Sequence, residues 1–151
     1  MNNFEWLESS RPDIKVKSYF YPSHHFGGFC LDGDVYINDL LSNKEKYQWL
    51  QEEIAHHDFT VGDIVKENTS DKRHQEKFAR SKAMEKTVPL DGLIYCYNHQ
   101  IDEPQDIADH FGVTVRYLYE AINNYREKRG IYFTYHGYTF DLTSGLKLDK
   151  N

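Results

Sequence analysis

Cysteine is scarce in this chain. Only Cys30 and Cys96 occur among 151 residues, too few for a disulfide framework or an all-thiolate zinc site. Both read as reduced thiols. Long apolar runs are missing too. No uncharged stretch approaches the roughly 20 apolar residues of a membrane-spanning helix. The opening residues, MNNFEWLESSRPD, are acidic and polar where a secretion signal is basic and then apolar. A cytoplasmic protein with no membrane partner is therefore expected. Positive charge is in deficit. Eighteen Lys and Arg face 24 Asp and Glu, for a formal net charge of −6. That balance predicts no strong binding to nucleic acid or to acidic membranes. No internal repeat and no low-complexity segment is present.

Aromatic residues, by contrast, are plentiful at 15%, led by twelve Tyr, while 39% hydrophobic and 28% charged residues are ordinary globular values. A chain of this length can bury about two-thirds of its unfolded surface and so build a true core.

The punctuation of the sequence predicts an α+β chain. Glu5 to Leu7 suits a short helix, residues 14–21 a strand and residues 22–25 a turn. In GGFCLDGDVYIN, Asp32-Gly33 is a two-residue hairpin signal, because both turn positions need positive φ. Phe29 and Leu31 point one way on the first strand, as do Val35 and Ile37 on the second. Ser42 and Glu45 form a capping box that opens a helix with an apolar stripe of Tyr47, Leu50 and Ile54. Residues 60–72 read as a loop. A second helix is expected over about 71–86, ending before Pro89. Leu90, Leu93, Ile94 and Tyr97 have the spacing of a short third helix.

Residues 102–130 read as two helices joined by a tight turn. Pro104 opens the first and Thr114 caps the second, whose buried face is Val115, Leu118, Ile122 and Tyr125. Gly130 ends it. IYFTYHGYTFDL predicts a second hairpin around His136-Gly137. Residues 146–151 are expected to fray.

One segment carries chemistry: Glu52-Glu53-Ile54-Ala55-His56-His57. On a helix, Glu52 and His56 lie one turn apart, as do Glu53 and His57, and all four fall within an arc of roughly 140°. Two ligands at i and i+4 can reach one metal ion. A carboxylate at i+1 is then placed to take a proton from water. The usual version has His at both ligand positions; here the first is Glu52. A carboxylate ligand makes the metal a weaker Lewis acid and admits manganese beside zinc. A third ligand is needed, with Glu76 the leading candidate and His74 the next. Taken by itself, the hexapeptide suits a solvated helix face with i,i+4 contacts at least as well. His24 and His25 read as surface residues in a turn. His99, His110 and His136 are scattered.

The neighbouring residues change that balance. QWLQEEIAHHDFTVGDI, QEKFARSKAMEKTVPLDGL and DIADHFGVTVRYLYEAINNY together resemble the ImmA/IrrE family of small metallopeptidases. The likeness is greatest to members encoded in phages and prophages of Gram-positive bacteria. It spans roughly residues 26–130 and rests on the order and spacing of several motifs. It includes the Gly-rich hairpin, the Gly at position 62 after the metal helix, and the spacing of Glu76, Ala79, Ala83 and Pro89.

The resemblance implies that Glu53 is the general base, and that His56 and Glu76 are metal ligands. Glu52 stands where the family's first histidine usually stands. Either Glu52 or His57 fills that ligand position, with Glu52 ranked first. The implied fold is a minimal zincin-like one, helices packed on a small antiparallel sheet, over residues 1–98. A helix-turn-helix-like pair over 99–131 would pack on it, with a hairpin and tail at 132–151.

The implied activity is zinc-dependent (alternatively manganese-dependent) endopeptidase cleavage of a protein, a phage or mobile-element helix-turn-helix repressor, inside a bacterial host cell. Tyr47, Tyr95 or a histidine is left as oxyanion donor. Two rival readings stand beside it. One is a non-catalytic protein that binds a regulator with a degenerate metallopeptidase fold. The other is a DNA-binding module built on residues 102–130. Arg116, Arg126, Lys128 and Arg129 favour the DNA reading. Glu120, Glu127 and the acidic Asp102, Glu103, Asp106 and Asp109 oppose it.

Overall fold

The computed structural model describes the backbone of residues 1–59 and 69–151 and the side chains of residues 1–59 and 73–151. The protein is α+β, and the chain divides into two compact units, Met1–Ala83 and Met84–Asn151.

The first unit opens with helix α1 (Asn3–Ser10). The Asn2 side chain caps it by accepting from the Glu5 N–H at 2.8 Å. Three short strands follow, β1 (Val16–Tyr19), β2 (Gly28–Leu31) and β3 (Asp34–Asn38). They form one sheet in the order β1-β3-β2. The β2–β3 hairpin is antiparallel, and its turn residues Asp32 and Gly33 have φ of 52° and 83°. Strand β1 adds to the other side of β3 in parallel, so the sheet is mixed.

Hairpin register decides which residues reach the core. Leu31 opposes Asp34, Cys30 opposes Val35 and Phe29 opposes Tyr36. Side chains alternate along a strand, so Phe29 and Leu31 fall on the face opposite Val35 and Ile37. Val35 and Ile37 are 2% and 1% exposed, against 42% and 54% for Phe29 and Leu31. The two pairs therefore do not share one apolar face. Phe29 instead stacks on Tyr36 on the outer face, with ring centroids 4.8 Å apart.

Asn38 ends β3 fully buried and organises the loop before β2. Its Nδ2 donates to the carbonyls of Tyr21, Ser23 and Phe26 at 2.8–3.1 Å. Its Oδ1 accepts from the N–H groups of Tyr21 and Leu40. Gly27 lies in this loop, where a Cβ would fall 1.9 Å from Trp49 Nε1.

Helix α2 (Asn43–Phe59) begins with the expected capping box. Ser42 N–H donates to Glu45 Oε1 at 3.1 Å, and Glu45 N–H donates to Ser42 Oγ at 3.2 Å. Leu50 and Ile54 join Leu7, Ile14, Val35, Ile37 and Leu41 in one buried cluster, with Tyr47 packed against it. Each large aliphatic side chain so buried contributes roughly 1.5–3 kcal/mol. Arg11 braces the far end of α2, bonding both carboxylate oxygens of Asp58 at 2.8 and 2.9 Å. Helix α3 (Thr69–Thr87) starts two residues before the expected position, so residues 69–72 are helical. The remainder of the expected loop, including Gly62, lies outside the described residues.

The second unit contains α4 (Leu90–Asn98), α5 (Pro104–Phe111) and α6 (Val115–Arg129). Gly112 closes α5 with φ of 73°, its N–H on Asp109 O and the Val113 N–H on Ala108 O. Thr114 caps α6 by accepting from the Tyr117 N–H at 3.2 Å. Gly92 lets α4 approach α5, since a Cβ there would fall 2.4 Å from the Phe111 ring. Tyr125 donates its buried hydroxyl to the Val88 carbonyl at 2.8 Å. Burial pushes that phenol's pKa well up.

Strands β4 (Tyr132–Tyr135), β5 (Tyr138–Asp141) and β6 (Lys147–Lys150) complete the unit as an antiparallel sheet in sequential order. The β4–β5 turn is His136-Gly137, with φ of 47° and 84°. The tail does not fray as expected. Residues Lys147–Lys150 pair along β5, with Leu148 opposite Phe140, and both side chains are buried. Among the described residues, no helix is long and apolar enough to cross a membrane.

Candidate metal centre

Helix α2 presents its charged residues beside α3. A seam of small residues lies between the two helices: Ala55 of α2 is buried with Ala79 and Ala83 of α3. The two helices meet at this small-residue patch, and the Arg80 side chain reaches Glu52 beside it.

On α3, Glu76, Ala79, Arg80 and Ala83 follow the i, i+3, i+4, i+7 spacing of one helical stripe. On α2, Glu52, Ala55 and His56 do the same over one turn. The chains run so that Arg80 meets Glu52, with Nε 3.1 Å from Oε1. Glu76 acts electrostatically on His56 and on Glu53. The direct contact between the two faces is thus Glu52 with Arg80, and Glu76 lies within electrostatic reach of His56.

Glu53 follows Glu52 on α2 and is part-buried. Loss of hydration raises its pKa to about 7, and the charges of Glu52 and Glu76 push in the same direction. Burial lowers the pKa of His56, opposed by Glu76. Cys30 on β2 is exposed, and its thiol is pushed up by partial loss of hydration and by the charges of Glu53 and Asp34. Thus β2 brings a thiol within electrostatic reach of the α2 carboxylate.

The remaining candidates lie elsewhere. His57 is exposed and faces Asp13, its Nε2 3.8 Å from Oδ2. His74 is exposed on α3. His24 is exposed near Glu45. Tyr47 turns into the first unit's core, where its hydroxyl accepts from Gln51 Nε2 at 3.2 Å. Tyr95 belongs to the second unit, stacked between the rings of His99 and His110. His136 bonds Asp91 at 3.0 Å.

The donor types on α2 and α3 suit a divalent ion, since carboxylate oxygen and imidazole nitrogen are both zinc ligands. Glu52 and Glu53 are part-buried and Glu76 is exposed, and Arg80 already offsets the charge of Glu52. The donors are neighbours rather than a finished cage. Among the described residues, no three His, Cys, Asp or Glu side chains are placed to hold one ion.

Arg80 and Cys30 were not singled out by the sequence reading. The i,i+4 relation of Arg80 to Glu76 was the available signal for the first. Nothing local marked the second. Comparison of the chain with family models, with curated proteins and with solved structures returns no match.

Proposed function

We propose that the chain is a metal-dependent endopeptidase acting on a protein substrate, with a helix-turn-helix repressor of a phage or mobile element as the substrate class. The observation that supports this reading is the paired helix face, with Glu52, Glu53 and His56 on α2 beside Glu76 on α3. The repressor as substrate rests on the resemblance to ImmA/IrrE metallopeptidases.

In this reading His56 and Glu76 would hold the ion with Glu52 from the α2 face, whereas His57, turned toward Asp13, would have to reorient to reach it. A bound divalent ion supplies a lowered water pKa and a polarised peptide carbonyl. Glu53 does the proton work. Its carboxylate takes a proton from water as the water oxygen bonds to the carbonyl carbon. It returns a proton to the amide nitrogen as the C–N bond breaks. Burial and the neighbouring carboxylates push the Glu53 carboxyl up to about 7, and a nearby cation would favour its ionised, basic form.

Elemental analysis after zinc or manganese loading tests the proposal. About one ion per chain is expected in the wild type and in Glu53→Gln, and loss of the ion in His56→Ala and Glu76→Ala. Cleavage of a repressor substrate should be lost in all three variants. A wild type that retains no metal after loading would overturn the peptidase reading. It would favour a non-catalytic protein that binds a regulator. The Glu52–Arg80 ion pair supports that second reading, because it neutralises one carboxylate without a metal.

A further inference from the structure

The sheet of the second unit has two edges, and they differ in charge. Strand β6 carries Lys147, Asp149 and Lys150. Charge on an edge strand is a common guard against pairing with another chain. Strand β4 reads Tyr-Phe-Thr-Tyr and carries no charge. It is bonded to β5 on one side only. The register shows which of its peptide groups are open. Leu142 N–H donates to Ile131 O at 2.7 Å, one step beyond the pairing of Tyr132 with Asp141. In an antiparallel ladder alternate residues turn their peptide groups to the partner strand. Ile131, Phe133 and Tyr135 therefore face β5, and Tyr132 and Thr134 face the open edge. Among the described residues, no other segment bonds to the peptide groups of those two. Their side chains and that of Ile131 are exposed, Tyr132 at 67% and Ile131 at 52%.

We propose that this edge is a homodimer interface, in which β4 pairs antiparallel with β4 of a second copy about a two-fold axis at Phe133. In that register Tyr132 exchanges both backbone bonds with Thr134 of the second copy, and Thr134 with its Tyr132. Directly opposed residues also share a face of the joined sheet. Tyr132 then meets Thr134, Ile131 meets Tyr135, and Phe133 meets its own counterpart. Each pair sets an aromatic ring against a β-branched or aromatic side chain, the combinations that stabilise strand pairing, and no like charges are opposed. The strand is thus complementary to its own reverse, which is why a second copy is the occupant. With β6 guarded, each copy has one open edge in this sheet, so the pairing closes at two. Arg129 lies over the Phe133 and Tyr135 rings at 5.5 and 5.3 Å. The two-fold brings both copies of that cation to one face, so added salt should tighten the dimer rather than dissolve it. A four-residue edge is a small interface, and association on the order of 10–100 μM is expected.

Sedimentation velocity on the full chain, from about 1 μM to about 500 μM, tests this. Wild type should pass from the 17.9 kDa monomer to a species of twice that mass as concentration rises. Thr134→Pro removes an edge-facing N–H at no cost to the β5 ladder. Tyr132→Lys places a charge on the edge. Each should weaken association roughly ten-fold or more. Tyr119→Lys, at an exposed aromatic of α6 outside the pairing, should leave it unchanged. Circular dichroism confirms that each variant is folded, and if Thr134→Pro is not, Tyr132→Lys decides.

A wild type that stays monomeric across the range would overturn the proposal. So would a dimer that survives in folded Thr134→Pro or in Tyr132→Lys, because another surface would then hold it. Species that keep growing beyond two copies would overturn the closed two-fold pairing. A dimer that dissolves with added salt would show an interface held by charge, and would overturn it too.

Discussion

Where α5 meets α6 in the second unit, the buried residues are mostly large. Ile107 and Phe111 lie on one helix, and Tyr117, Leu118, Ile122 and Tyr125 on the other. Where α2 meets α3 in the first unit, the buried seam is three alanines flanked by carboxylates, an imidazole and a guanidinium. The first pair is held by apolar area, which is non-directional and insensitive to pH or ions. The second buries little apolar area at its seam and places charges where they are partly stripped of water. Such an arrangement costs stability in the resting protein and leaves polar groups ready to engage something else. The contrast separates a helix pair that serves the fold from one that can serve a site.

The largest effect should come from breaking the apolar pair. Leu118 is 1% exposed on α6, and Leu118→Ala removes a buried side chain whose space the neighbours refill only in part. A loss of about 2–5 kcal/mol is expected, read as a lower urea midpoint. The loss should be the same at pH 5 and pH 8. A loss that varies strongly with pH would show that charge, not area, holds this pair.

The charged pair should respond with the opposite sign. Glu53 has a folded pKa raised from 4.5 to about 7. Between those values the folded chain binds more protons than the unfolded chain, so stability falls as pH rises through the window. It is fully present below about pH 4.5 and lost above pH 7. Glu53→Gln removes the ionisation and keeps the shape. In the presence of chelator, the variant should exceed wild type by on the order of 1–2 kcal/mol at pH 8, a figure reduced from the full shift because the carboxylate is partly wetted. The two proteins should converge at pH 4.5. Urea midpoints at both pH values measure this. A variant less stable than wild type at pH 8 would mean that Glu53 is stabilised by its surroundings rather than strained by them.

What could be read from the sequence follows the same division. Signals that act within one turn of helix or one hairpin are in place: Ser42 with Glu45, Asp32-Gly33, Thr114, Gly112 and His136-Gly137. Signals that depend on a distant partner were harder to see. Residues 147–150 form a strand only because β5 offers a free edge, and nothing in their own composition announces it. Phe29 and Leu31 are apolar and alternate as core residues do. The hairpin register nevertheless sends them to the outer face, a consequence of counting across the turn rather than along the strand. Within the candidate site, the α2 hexapeptide was visible because helical spacing alone gathers it. Arg80 was not, because it gains meaning only when α3 lies beside α2 with Ala79 and Ala83 facing Ala55. A buried hub such as Asn38, with three carbonyls on one amide group, is likewise silent until the loop before β2 is folded over it.

The smallest expected effect tests whether the local code is sufficient in the second unit. Thr114 accepts from the Tyr117 N–H at 3.2 Å and has extended backbone angles of −76° and 157°. Thr114→Ala removes that acceptor and leaves the first turn of α6 with one N–H to be met by water, a cost of about 1 kcal/mol. Thr114→Ser restores the oxygen without the methyl group and should recover most of the loss. Thermal midpoints for the two variants separate the hydrogen bond from the packing. Equal losses in Ala and Ser would show that the methyl group, and therefore packing, sets the start of α6. Recovery in Ser would show that a single side-chain oxygen fixes the boundary of a helix whose remaining stability comes from Leu118 and its buried neighbours.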